Sequence, residues 1–130
     1  MTKTIVTMFF NSQVQDQGIL SATMFEFKWS PSEKKAARAA FDLALDRELK
    51  AIRQEAEALL QKSGDESSIW RVHDYLSEKR RDVDEKYSYR YSVLILVFSR
   101  LVSEGWLTVD DLSGIGTEKI EVIRQVISRR

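Results

Sequence analysis

One unbroken amphipathic pattern constrains this chain more than any other feature. It begins at Ser30-Pro31-Ser32-Glu33 and does not stop until Gly64. Ser30 suits the N-cap, Pro31 suits the first helical position, and Glu33 stands where a capping box needs its acceptor. Apolar residues then recur in steps of three and four: Ala37, Phe41, Ala44/Leu45, Leu49, Ile52, Ala56 and Leu59/Leu60. The spacing predicts one helix to about Lys62, ended by Gly64 in the left-handed position. At 1.5 Å per residue it spans about 48 Å, whereas a compact domain of about 100 residues has a radius of gyration of about 13 Å. The stripe runs the whole length, and one further helix can cover only part of it. A second copy, packing long helices antiparallel about a two-fold axis, would cover the rest. A homodimer is therefore expected, with Leu49, Ile52, Ile69 and Leu76 in its interface.

The remainder of the chain is also helical in pattern. A second helix is expected after Asp65-Glu66-Ser67, with Ile69, Val72, Leu76, Val83 and Tyr87 as its stripe. The period breaks near Lys86–Tyr91. A third helix, about residues 91–104, is apolar nearly all round and should be the most buried element. Gly105 ends it. Thr108 should cap a single turn at Val109–Leu112, Ser113-Gly-Ile-Gly116 should form a tight turn, and Thr117 should cap a last helix to about Ser128. Ile120, Ile123 and Val126/Ile127 form its apolar face. Residues 1–23 are poor in charge and rich in Thr, Gln and Ser. With the next three they read as a flexible N-terminal extension, residues 1–26, before a single helical domain, residues 27–130.

Composition narrows the function. The 130 residues hold 20 Lys+Arg against 20 Asp+Glu, so bulk charge offers no attraction to nucleic acid or anionic lipid. There is no Cys, hence no thiolate metal site, disulfide or cysteine nucleophile. The longest apolar run, Val93–Phe98, is far short of the roughly 20 residues of a membrane-spanning helix. No glycine-rich phosphate loop or zinc-ligand spacing occurs, and the single His, His73, has no obvious catalytic partner. The chain is read as a non-enzyme without cofactor or metal. Leu112-Ser-Gly-Ile-Gly-Thr-Glu-Lys-Ile120 keeps one alternative open, a helix-hairpin-helix whose Gly-Ile-Gly turn would aim backbone N–H groups at a nucleic-acid phosphate. Against it, residues 105–130 balance four basic residues with four acidic ones. Tyr87, Tyr89 and Tyr91 likewise allow base stacking, but read better as amphipathic rings closing a helix junction.

The second helix carries the one cluster suited to binding. Advancing about 100° per residue, Arg80, His73, Asp84, Ser77, Trp70, Arg81 and Asp74 fall on one arc beside the Ile69/Leu76/Val83 stripe. Trp and Arg are typical of binding hot spots. The arc reads equally well as a Trp finishing the core among helix-surface ion pairs, Glu78–Arg81 and Arg80–Asp84.

The stretch Ile69-Trp-Arg-Val-His-Asp-Tyr-Leu-Ser-Glu-Lys-Arg80, continuing through Val83-Asp-Glu-Lys-Tyr-Ser-Tyr-Arg-Tyr-Ser-Val-Leu-Ile95 to Glu104-Gly-Trp-Leu107, resembles the cyanobacterial fluorescence recovery protein family. The helix from Lys28-Trp29-Ser30 through Arg47-Glu48-Leu49 fits it too, so the resemblance covers about Trp29 to the C-terminus. It implies an all-α fold, with long antiparallel helices forming a dimeric stalk (about residues 30–86) and a small helical head (about 88–130). It implies a regulator of the orange carotenoid protein. Such a regulator binds the photoactivated red form, chiefly at its C-terminal domain, speeds return to the orange form and ends phycobilisome quenching. The family's functional patch falls on Trp70, His73, Asp74 and Arg80. The implied location is the cytoplasm, peripheral at the thylakoid face through the partner. A structural dimeric adaptor with another protein partner is the remaining alternative.

Overall fold

A computed structural model describes residues 27–129; the expected N-terminal extension lies outside them. Helix α1 spans Pro31–Ser63, α2 Ser68–Lys86, α3 Leu94–Ser103 and α4 Thr117–Ser128, with a 3₁₀ helix, η1, at Asp110–Ile115. No strand occurs among the described residues.

The start of α1 is fixed as its sequence demands. Ser30 Oγ accepts from Glu33 N at 3.2 Å, and Glu33 Oε1 accepts from Ser30 N at 2.9 Å. Gly64 ends the helix at φ 63°, a left-handed conformation that costs glycine no Cβ clash. The chain then turns back, and α2 runs antiparallel to α1 as a hairpin. Asp65 organises that turn by accepting from Ser67 N and Ser67 Oγ.

The core gathers at the other end. The first half of α1 contributes Ala37, Ala40, Phe41 and Ala44. Helix α3 contributes Leu94–Phe98 and Leu101, and Leu107, Leu112, Ile115, Ile123 and Val126 complete the cluster. Helix α3 is the buried element its composition predicts, and Ser99 Oγ is satisfied by Ile95 O at 2.7 Å. Three charge-assisted links fasten the head to α1. Lys119 Nζ meets Glu33 Oε1 at 3.1 Å. Arg47 Nη1 donates to Asp111 Oδ2 at 2.8 Å and to Trp106 O at 3.0 Å. Lys86 Nζ joins Glu48 on α1 to Glu104 beyond α3.

Four local expectations are corrected. Helix α3 begins at Leu94 rather than near Tyr91, because the tyrosines of the linker are drawn onto other rings. Tyr87 and Tyr89 pack edge-on against Phe41, with centroids 5.4 and 4.9 Å away, and Tyr91 lies 5.4 Å from Trp29. The single turn after Thr108 extends to Ile115 as η1, absorbing most of the expected tight turn. Thr108 does brace it, through Asp111 N to Thr108 Oγ1 and Thr108 N to Asp111 Oδ2. Thr117 does not cap α4; the N-cap is Gly116 at φ 105°, a conformation open to glycine. The expected Glu78–Arg81 ion pair is absent from those formed among the described residues, while Arg80–Asp84 forms at 3.8 Å.

The Gly-Ile-Gly turn faces inward. A Cβ on Gly114 would stand 2.6 Å from Ala36 Cβ, and one on Gly116 would stand 2.8 Å from Glu33 Oε2. Ile115 between them is fully buried. These glycines let η1 and the start of α4 press against α1. The anion beside the first turn of α4 is the chain's own Glu33, already bound to Lys119.

Candidate functional site

The stalk hairpin beyond the head is unlike the core in what it buries. Its buried apolar residues are Ala56 and Val72, while Leu49, Leu60, Ile69, Trp70 and Leu76 stand exposed. Ile52, Leu59, Tyr75 and Val83 are half-buried between them. Large apolar side chains left in water along one hairpin mark a surface meant to be covered.

Four residues of the predicted binding arc lie on the outer side of α2. Trp70 is 68% exposed, which removes the alternative that it finishes this chain's core. Its ring meets His73 edge-on at 6.2 Å, and His73 Nδ1 lies 3.4 Å from Asp74 Oδ1. The Asp74 and Arg80 side chains are each 85% exposed. Trp70, His73 and Asp74 thus form one cluster: a broad aromatic face, an imidazole and an exposed carboxylate. Arg80 stands two turns further on, loosely paired with Asp84.

Arg80 also belongs to a second feature. Leu49 and Ile52 of α1 and Leu76, Lys79, Arg80, Val83 and Asp84 of α2 line an open groove of about 330 Å³. Its floor is apolar and its rim charged. Three of the four expected interface residues, Leu49, Ile52 and Leu76, line this groove. Ile69 does not; it lies nearer the hairpin tip and is 56% exposed. Arc and groove are adjoining parts of one face, with Arg80 in both.

The sequence reading missed the polar cluster at the base of α2. The Lys86 side chain is 3% exposed, and its ammonium donates to Glu48 Oε2 and Glu104 Oε1, both at 2.7 Å. Tyr87 Oη donates to Glu48 Oε1 at 2.8 Å, Arg100 Nε to Glu104 Oε2 at 2.7 Å, and Trp106 Nε1 to Glu104 Oε1 at 3.2 Å. Burial and the Glu48 carboxylate push the Tyr87 hydroxyl far up, so it stays protonated as the donor. Burial opposes ionisation of Glu104, yet bonds from Arg100 and Lys86 hold its carboxyl below the ordinary range. One signal was available: Glu48 occupies the i+4 position after the buried Ala44, inside the apolar stripe.

Among the described residues no group of His, Asp and Glu is placed to hold a metal ion. No helix there is long and apolar enough to cross a membrane.

Comparison with known proteins agrees with this architecture. Residues 29–127 match the family described as "Photoprotection regulator fluorescence recovery protein". The fluorescence recovery protein of Synechocystis sp. (strain ATCC 27184 / PCC 6803 / Kazusa) is 34% identical over 99 residues, which is 76% of this chain and 91% of that protein. The solved structure of the Fremyella diplosiphon fluorescence recovery protein superposes with a TM-score of 0.71 at 40% identity, covering 79% of this chain and all of that one. The Synechocystis structure gives 0.71 at 33% identity, with the same coverage. The matched region holds the whole hairpin and all but the last residues of the head, so the chain belongs to the fluorescence recovery protein family of photoprotection regulators.

Proposed function

We propose that this protein is a non-enzymatic regulator of the orange carotenoid protein. It binds the photoactivated red form, chiefly at the C-terminal domain, accelerates return to the orange form and so ends phycobilisome fluorescence quenching. It acts as a homodimer in the cytoplasm and reaches the thylakoid face only through its partner. The observation that carries the reading is the exposed Trp70/His73/Asp74/Arg80 arc in a chain of this family. A large indole held out in water supplies contact area, and Asp74 and Arg80, exposed and only loosely paired, supply charge-assisted hydrogen bonds.

Acceleration without covalent chemistry has a simple physical form. A ligand shifts an equilibrium only by its differential affinity for the two states. To speed the return it must also favour the transition state between them, the logic of differential binding in catalysis. The dimer reading rests on the groove lined by Leu49, Ile52 and Leu76, which a second hairpin would cover. The helix-hairpin-helix alternative loses support, since Gly114 and Gly116 are taken up by packing on α1.

The test is the absorbance decay of the red carotenoid protein with and without this chain. A several-fold faster decay is expected at equimolar chain, and an unchanged decay refutes the proposal.

A further inference from the structure

The arc is useful only if α2 holds it at one angle, and the apolar packing of the hairpin is a poor device for that. Beyond the level of Lys86, the only fully buried apolar side chains of the hairpin among the described residues are Val72 and Ala56; Ile52, Leu59, Tyr75 and Val83 are half-buried, and Leu49 and Leu76 remain 49% and 41% exposed. Ridges that sink so little of their bulk into the facing grooves interlock shallowly, so packing alone discriminates weakly between neighbouring registers. A slip of one residue shifts a helix by about 1.5 Å and turns it by about 100°. The arc from Arg80 to Asp74 subtends about 120° at 100° per residue. One slip therefore displaces the arc by nearly its own width.

We propose that Lys86 is the register pin of the stalk: a positioning residue whose buried ammonium fixes the rotation and axial setting of α2, and with it the direction in which Trp70, His73, Asp74 and Arg80 face. The proposal rests on the arc's being the partner surface. Lys86 is the last residue of α2. It binds one carboxylate on α1, Glu48, and one beyond α3, Glu104, at 2.7 Å each; the ammonium and Glu48 are almost out of water, while Glu104 is 34% exposed. Two acceptors on separate elements triangulate the nitrogen, which neither alone would do. Tyr87, the next residue, binds the other oxygen of Glu48, and its N–H closes on Val83 O at 3.0 Å, so the end of α2 is held from both sides. Any other register would leave the buried Glu48 carboxylate or the buried Lys86 ammonium unpaired, the costly outcome for a charge out of water. A buried polar contact that selects one register at little net gain in stability is the best attested use of such groups. The pin acts at a distance, since Arg80 lies about 9 Å and Trp70 about 24 Å along α2 from Lys86 at 1.5 Å per residue.

The experiment compares three full-length proteins: wild type, Lys86→Met, and Lys86→Met with Glu48→Gln. The second change removes the stranded carboxylate while leaving an acceptor for Tyr87. The chain has no cysteine, so spin labels at Gln54→Cys on α1 and Glu78→Cys on α2, diluted into unlabelled chain, report the setting of the hairpin. Wild type should give one narrow distance distribution. Lys86→Met should melt at lower temperature, with a broadened distribution. The double variant should regain most of the melting temperature while its distribution stays broad and its acceleration of carotenoid-protein recovery stays down by about tenfold or more, as for misplaced binding groups elsewhere. A narrow wild-type-like distribution in the double variant, or recovery of activity together with stability, overturns the proposal. If wild type itself fails to accelerate recovery, the assignment of the arc falls, and the distance distributions still decide the pin.

Discussion

Replacing Gly114 by Ala isolates one contact that the fold depends on. Gly114 has no positive φ, so alanine meets no backbone penalty there. The added Cβ would stand 2.6 Å from Ala36 Cβ, where carbon atoms prefer about 3.5–4.0 Å. Roughly 1 Å of separation must come from moving η1 off α1. Overpacking of this kind costs about 1–3 kcal/mol, and the stiffer unfolded chain returns about 0.4–1 kcal/mol. The expected net loss is about 1–2 kcal/mol, or a fall in Tm of roughly 5–10 °C for a domain near this size. Urea melts at fixed protein concentration measure it. The companion Ala36→Gly costs about 1 kcal/mol alone, from helix propensity, but removes the clash. The double variant should therefore be more stable than the sum of the single losses by about 1–2 kcal/mol. Additivity within about 0.5 kcal/mol, or a neutral Gly114→Ala, refutes the assignment of these glycines to packing. A glycine kept open for a phosphate would show the opposite behaviour, with stability unchanged and only ligand binding lost.

Asp74→Leu should leave helicity and chain association nearly unchanged, and Arg80→Leu, at the rim of the groove, should leave helicity nearly unchanged, since exposed substitutions typically cost within about 0.5 kcal/mol. Each should nonetheless abolish most acceleration of carotenoid-protein recovery; folded variants as active as wild type would reduce the arc to a solvated helix face. Ile69→Glu should weaken self-association by burying an unpaired charge, seen as a fall in light-scattering mass from twice toward once the 15.1 kDa chain mass. A wild type that is monomeric at micromolar concentration removes the groove's occupant. Glu33, held low by the Ser30 backbone N–H and by Lys119, and Asp111, held low by the Thr108 backbone N–H and by Arg47, should make stability acid-sensitive. Their folded pKa values lie below the ordinary 4.5 and 3.8, so this contribution is present at neutral pH and disappears as pH falls through the depressed values. Tm should hold down to about pH 5 and drop below about pH 4, less steeply in Asp111→Asn.

What the sequence made legible follows from the range of the forces involved. The start of α1 is set by residues three apart, and its end by one glycine, so both stood in plain view. The burial of α3 was legible because its run is apolar nearly all round. The arc was legible as an arc, since helical angles are local, but not as exposed. Whether Trp70 faces a core depends on what α2 packs against, and its shallow seat on α1 is a tertiary fact. The linker failed for a similar reason. Tyr91–Val93 have nothing against a helix locally, and rings from Phe41 and Trp29, some 50 and 60 residues away in sequence, draw the tyrosines out of it. The Lys86 cluster was hidden because each member looks ordinary alone. Only Glu48, a carboxylate on a stripe of alanines, broke its local pattern.

The two ends of the molecule divide stability from recognition. At the head, fifteen buried apolar residues form one cluster, and three charge-assisted links bind that cluster to α1. Along the hairpin, burial is sparse and the large side chains face water. Native proteins open locally where buried contacts are few, well below the cost of global unfolding. The hairpin is therefore the part that can yield, and it bears the arc. A surface on such an element gains order when it is covered, whether by a second copy or by the carotenoid protein, and part of the binding free energy goes into that ordering. The head keeps its fold whichever way the hairpin is covered, since no residue of α2 belongs to its core cluster. Lys86 stands on the boundary between the two ends. It ties the rigid cluster to the yielding helix at one point, which is where a single buried ion pair can govern the direction of a long lever.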